Sequence, residues 1–372
     1  MRLPIKRILL LCLPVFLFPV VAAAGSWETI AAGNAIDFTK VFFANADTGF
    51  ITGTSGTLLI TENAGKTWST RNPGVSEHLR GGCFVDAKTA YLSGSHGLIL
   101  KSTDFGMTWK RLPTPDTTDL GDMVFTSAAK GFVTAGNFGI LRTVDSGNTW
   151  SKVDLKSKNA GATQAIVFPT AQIGFLVCTL GALRTQDGGE TWRVPPGFNL
   201  GSAYYSDGFF LNADTGFFAS YYYGTIVKTF DQANTLKPTH APGSFTALTF
   251  LTPEIGYAIS RDRPARCFRT DDQGSNWNPD STFPVVNATG VVRPIADIGC
   301  AGGKVILAVG ADGFIARKAE ANPTAIAPSR KSALRMETAK KVYRADGRRQ
   351  SGYQAGPRTM RSVFSSRRKR DR

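Results

Sequence analysis

The sequence predicts an all-β fold, a seven-bladed β-propeller, and three observations carry that prediction. An eight-residue turn motif recurs six times at intervals of 41 to 44 residues, the length of a four-stranded propeller blade. Two apolar strand-like runs joined by a small-residue hairpin precede each copy. The two ends of this repeated region supply the parts of one further unit that neither completes alone.

The N-terminal segment sets the compartment. Arg2, Lys6 and Arg7 precede an unbroken apolar run from Ile8 to Val21, and Ala22-Ala23-Ala24 follows it. A basic start, a short apolar stretch and small residues at the end make a secretory signal peptide. The run is shorter than the roughly 20 residues of a comfortable membrane span. Residues 1–24 are therefore expected to be removed, leaving an exported chain that starts at Gly25. No paired arginine precedes the run, which argues against the twin-arginine route. Cys12 lies inside the run, a poor place for lipid attachment.

The motif is Ser/Thr-x-Asp-x-Gly-x-Thr-Trp, an Asp box. It runs over Ser102–Trp109, Thr143–Trp150 and Thr185–Trp192; Thr61–Trp68 carries Asn63 for aspartate, and Thr270–Trp277 has Asn276 for threonine. A degenerate copy, Thr229–Leu236, keeps Asp231 but has Ala233 for glycine and Leu236 for tryptophan. Before each box comes an apolar run, most of them ending in a base, as in Gly97-Leu98-Ile99-Leu100-Lys101. Earlier still lies a Gly-aromatic pair, such as Gly49-Phe50, Gly131-Phe132 or Gly216-Phe217. Each unit thus reads as strand, turn, strand, hairpin, strand, box turn, strand. The apolar runs do not alternate strictly, which fits strands covered on both faces by neighbouring blades.

Six boxes define six blades, while Val305–Val309 and Gly313–Arg317 read as a seventh pair of inner strands without a box. Trp27 lies 41 residues before Trp68, so the strand that follows it is expected to complete the last blade and close the ring, removing an exposed edge. The box aspartates Asp104, Asp145, Asp187, Asp231 and Asp272, with Asn63, are read as structural: the carboxylate accepts backbone N–H bonds of its own turn. Trp68, Trp109, Trp150, Trp192 and Trp277 are expected to pack between blades. Each buries about 150–250 Å², worth a few kcal/mol at most at ~25 cal/mol/Å².

Charge divides unevenly. The whole chain carries +15, yet from Lys318 to Arg372 there are 16 Lys or Arg against four Asp or Glu, and the signal segment adds three positives. The body between them is neutral. A nucleic-acid-binding fold would carry its charge on the folded domain, so no nucleic-acid partner is expected. The chain divides into a signal peptide at 1–24, the propeller at 25–318 and a basic tail at 319–372. The tail's composition does not support a core of its own; if it acts, anionic lipid headgroups are its target. Cys83, Cys178, Cys267 and Cys300 have neither zinc nor redox spacing and read as buried strand thiols. His78, His96 and His240 lie far apart without metal-ligand spacing. No metal or cofactor is expected.

Asp-box blades at this period, seven in number and with few insertions, resemble the photosystem II stability/assembly factor family of BNR-type β-propellers over residues 25–318. The resemblance implies a non-catalytic scaffold in the thylakoid lumen or periplasm, soluble or peripherally membrane-associated. It also implies a protein partner: newly made reaction-centre protein in photosynthetic members, another membrane assembly or exporter elsewhere. Two features depart from the photosynthetic pattern, the absence of a convincing lipid-attachment cysteine and the long basic tail.

Binding in propellers concentrates where loops of several blades converge. Most hairpins between second and third strands are tiny, but blade five carries Tyr221-Tyr222-Tyr223 and blade six carries Arg261, Arg263 and Arg266 in one longer hairpin. These neighbouring tips hold residue types enriched at interface hot spots and form the candidate partner surface. The base recurring at Lys101, Arg142, Arg184, Lys228, Arg269 and Arg317 is read as a repeat-encoded residue that pairs locally. The alternative function is a sialidase-like glycosidase. That needs an arginine triad, a tyrosine nucleophile and an acid, and no non-box carboxylate stands out. Two carboxylates facing each other across an axial cavity would favour it.

Overall fold

The structure, a computed structural model, describes residues 25–320 apart from 34, 116, 137–138, 156–159, 202–203, 222–223, 263 and 285–293. The signal segment 1–24, Tyr222, Tyr223, Arg263 and the tail from 321 onward lie outside the described residues.

Among the described residues, 27 strands form seven antiparallel sheets, the blades of a propeller. Blade one shows the plan, axis to rim: Phe38–Phe43, Gly49–Gly53, Leu58–Thr61 and Ser69–Arg71. Second strands are buried at every position, because a neighbouring blade covers each face. Rim strands are two or three residues long in five blades, and all of their residues but Arg71 are exposed. Such short edges limit pairing with other chains. Blade four departs from the plan. Its rim is a single bridge between Arg184 and Arg193. Pro195 and Pro196 follow at once and bring no N–H to extend the ladder.

The seventh blade closes as the spacing of Trp27 requires. Trp27–Ala31 pairs antiparallel with Phe314–Ala319 in the sheet that also holds Ile295–Ala301 and Val305–Gly310, in a register from Trp27↔Lys318 to Ala31↔Phe314. The indole N–H of Trp27 donates to Asp280 at 3.0 Å, and its ring meets Phe283 edge-on at 4.9 Å. Ala319 is in the last strand, and the Glu320 carboxylate is held by the Tyr257 hydroxyl and the Arg269 guanidinium.

The core is a set of inter-blade seams, since each apolar cluster draws its residues from two adjacent blades. The Gly-aromatic pair explains its own spacing there. A Cβ on Gly49 would lie 2.4 Å from the ring of Phe43, its cross-strand partner, and Gly216 repeats this against Phe210 at 2.4 Å. The aromatic residue that follows then packs beneath the next blade's box: Phe50 under Gly106, Phe132 under Gly189, Phe217 under Gly274.

The boxes are hydrogen-bonded turns. Asp104 accepts from the Thr108 N–H at 2.9 Å and hydroxyl at 2.6 Å, while the Ser102 hydroxyl accepts from Gly106 N–H at 2.8 Å. Asp145, Asp187, Asp231 and Asp272 repeat the pattern. Two consecutive residues take positive φ, such as Phe105 at 66° and Gly106 at 74°. The recurring base ties a box turn to the blade before it, except at the second box, where blade one has Ile60 in its place. Lys101 donates to Ser146 O, Arg184 to Gln232 O, Lys228 to Gln273 O and Arg317 to Ala64 O. Each acceptor is the first positive-φ residue of the next box. Arg142 reaches Glu190 of the next box instead. Local pairing thus accounts for these bases. Cys83, Cys178 and Cys267 are buried, Cys300 is half-buried, and none is paired.

Candidate functional site

Every inner strand contains the same irregularity. The register slips once near its start, at Phe38/Lys40, Leu79/Gly81, Leu120/Met123, Thr163/Ala165, Tyr205/Asp207, Phe245/Ala247 and Ile295/Asp297. A bulge re-aims the residues beside it, and here it turns a ring of them toward the axis. Lys40, Asp122, Asp207 and Asp297 occupy equivalent places in blades one, three, five and seven.

Those aspartates bind across the seams. Asp122 accepts from Ile166 N–H, Asp207 from Leu248 N–H and Asp297 from Val41 N–H, all at 3.0 Å and each in the next blade. Lys40 donates to Asp122 at 2.6 Å. Burial opposes the Lys40 ammonium, but attraction to Asp122, then Asp297 and Asp207, outweighs it and raises the pKa. One level nearer the mouth, the Thr39 hydroxyl donates to Leu79 O and the Ser206 hydroxyl to Phe245 O, both at 2.7 Å. The axis is thus held by polar ties between blades.

Above this ring, a cavity of about 760 Å³ opens at the hairpin end. Its floor is Lys40, Asp122, Asp207 and Asp297, and its rim includes Arg80, Asp119, Tyr204, Tyr221 and Arg261. Tyr221 and Arg261, taken from the sequence as neighbouring tips, meet directly: the guanidinium carbon lies 4.0 Å from the ring centroid. The Tyr221 N–H donates to Tyr204 O at 2.6 Å, which places a second tyrosine, 41 % exposed, on the same rim. Arg80 pairs with Asp119 of the next blade at 2.6 Å. Arg266 is exposed but does not line the cavity; its N–H is tied back to Ser260 at 3.0 Å.

The axial carboxylates and Tyr204 were not singled out from the sequence. A signal exists once the inner strands are superposed on their opening residues, Phe38, Leu120, Tyr205 and Ile295, since Asp122, Asp207 and Asp297 then fall in register with Lys40. Among the described residues, no group of three His, Cys, Asp or Glu is arranged to hold a metal ion.

Comparison with known proteins agrees with the fold. The sequence profile of the family described as photosynthesis system II assembly factor YCF48 matches residues 20–113 and 75–202. A solved structure described as YCF48 bound to D1 peptide superposes with a TM-score of 0.66 at 18 % identity, over 80 % of this chain and 97 % of that one. YCF48 from Cyanidioschyzon merolae gives 0.64 at 17 % identity, over 79 % and 98 %. A GH74 xyloglucanase from Xanthomonas campestris gives 0.64 at 15 % identity, over 81 % of this chain and 55 % of the enzyme. No curated protein matches the chain.

Proposed function

The chain belongs to the photosystem II assembly factor-like family of β-propellers, and from that premise we propose that it is an exported, non-catalytic scaffold that captures a protein partner at the hairpin end of its ring. The observation that carries this reading is the Tyr221–Arg261 pair on the rim of the axial cavity. Tyrosine offers rigid apolar area and a forked guanidinium offers paired donors to carboxylates, the chemistry of interface anchors. By analogy with the relative that carries a D1 peptide, the partner is a peptide segment of a membrane-complex subunit. The signal segment supports export to a periplasm or thylakoid lumen, and the basic tail supports contact with anionic lipid.

The glycosidase alternative has one specific observation in its favour, an axial cavity lined by carboxylates. Against it, Asp122, Asp207 and Asp297 each accept a backbone bond from the next blade, and Asp122 also holds Lys40. The box carboxylates are absorbed by their turns. A direct test combines two measurements. Replacing Tyr221, Arg261, Arg263 and Arg266 with alanine is expected to reduce recovery of the partner from solubilised membranes, read by mass spectrometry, with the melting temperature unchanged. Hydrolysis of a xyloglucan or sialoside by the wild type, abolished by Asp297→Asn in a folded protein, would instead establish the enzyme.

A further inference from the structure

Both ends of the described body leave the ring on one side. Trp27 pairs with Lys318 at the end where the Asp boxes lie, and Glu320 follows there, its N–H bonded to Lys304 O. The segment beyond Glu320 has membrane chemistry in its sequence: residues 321–372 hold 15 Lys or Arg against three Asp or Glu. A second observation is independent of it. Of the four large apolar side chains that stand exposed among the described residues, three sit on box turns: Met107 at 70 %, Val144 at 59 % and Phe230 at 53 %. They belong to blades two, three and five, so they spread around one end of the ring. Scattered exposed apolar residues need no explanation singly. These three share an end with both chain exits, and Phe230 carries the Lys228 ammonium 4.5 Å above its ring. Exposed apolar side chains at the end from which a basic segment continues are what an interfacial surface presents to acidic headgroups.

We propose that the Asp-box end is a membrane-facing surface: Met107, Val144 and Phe230 enter the headgroup layer of an anionic bilayer while the basic tail tethers the ring to it. The axial cavity then opens away from the membrane. This rests in part on the tail–lipid reading above, and the test separates the two. Full-length protein is mixed with vesicles of phosphatidylcholine, with or without phosphatidylglycerol, that display nickel at the headgroups. A nitroxide sits at Met107→Cys or, on the opposite end of the same blade, at Thr117→Cys, both in a Cys300→Ala background. On acidic vesicles, broadening of the Met107 label and not of the Thr117 label is expected. Met107→Ser, Val144→Ser and Phe230→Ser together are expected to weaken binding without lowering the melting temperature. Equal broadening at both sites, broadening of the Thr117 label alone, or a triple variant that binds as wild type would overturn the proposal. So would a triple variant whose only change is loss of self-association in sedimentation, which would make the face a contact between copies. Removal of residues 321–372 with no change in vesicle binding would sink the tail reading and leave the orientation to the labels.

Discussion

Asn63 holds in the first box the place that aspartate holds in the other five, and it makes the same turn. Its carbonyl accepts the Thr67 N–H at 3.0 Å, and its amide donates to the Thr67 hydroxyl at 2.8 Å. An amide therefore suffices for geometry, and what the carboxylate adds is charge. The Thr108 hydroxyl, followed by the Thr108 N–H, holds the Asp104 carboxyl at about 2. Burial works against ionisation of Asp187, but the Thr191 hydroxyl and N–H prevail and bring it to about 2 as well. A depressed pKa contributes stability that is present above the unfolded value and lost as pH falls through the folded one. Asp104→Asn and Asp187→Asn should thus fold at neutral pH and lose less stability than wild type between pH 3.8 and about 2. Acid unfolding followed by tryptophan fluorescence checks this; a steeper acid loss in the variants would contradict it. At the axis the logic differs, because Lys40 compensates carboxylates that are themselves buried. Lys40→Met should cost roughly 3–5 kcal/mol in urea unfolding, the penalty for stranding a buried partner. Adding Asp122→Leu should recover part of that loss, and strict additivity would show that the pair is not coupled.

Closure is the element on which the rest of the ring depends. Trp27→Ala removes an indole packed against Phe283 and Tyr257 and bonded to Asp280, so a loss of roughly 3–5 kcal/mol is expected. A denaturation midpoint equal to wild type would mean that the N-terminal strand does not hold the ring shut. The other side of the same seam gives a sharper cut. A chain ending at Glu320 should melt as wild type does, and one ending at Lys318 should melt lower, because Glu320 joins Tyr257, Arg269 and Lys318. Blade number and closure were legible because a 41-residue period survives in tryptophan spacing, whatever the intervening residues do. The rim of blade four was not, since a box motif says nothing of the prolines behind it. Nor were the axial aspartates. Asp122, Asp207 and Asp297 stand 85 and 90 residues apart, and only ring closure carries Asp297 to Val41. The candidate rim was half legible: tip length placed Tyr221 and Arg261 together, while the bond from Arg266 N–H to Ser260 that accompanies its place off the cavity leaves no trace in composition.

At the scale of the molecule, a neutral body with a polar, tied axis has two unlike ends. The box end is repetitive, and its carboxylates and bases are consumed in turns and inter-blade ties. The hairpin end breaks the repeat in two adjacent blades and opens into the axial cavity of about 760 Å³. A scaffold that holds a partner by one such mouth should lose capture without losing its fold. Surface changes of this kind typically cost under about 0.5 kcal/mol. The decisive measurement is recovery of the partner from solubilised membranes by immobilised wild type, by a Tyr221→Ala/Arg261→Ala variant and by a Met107→Ser/Val144→Ser variant at the opposite end, with equal melting temperatures required of all three. The account predicts that recovery falls for the rim variant and stays at the wild-type level for the box-end variant. Undiminished recovery by the rim variant, with loss in the box-end variant, would contradict it.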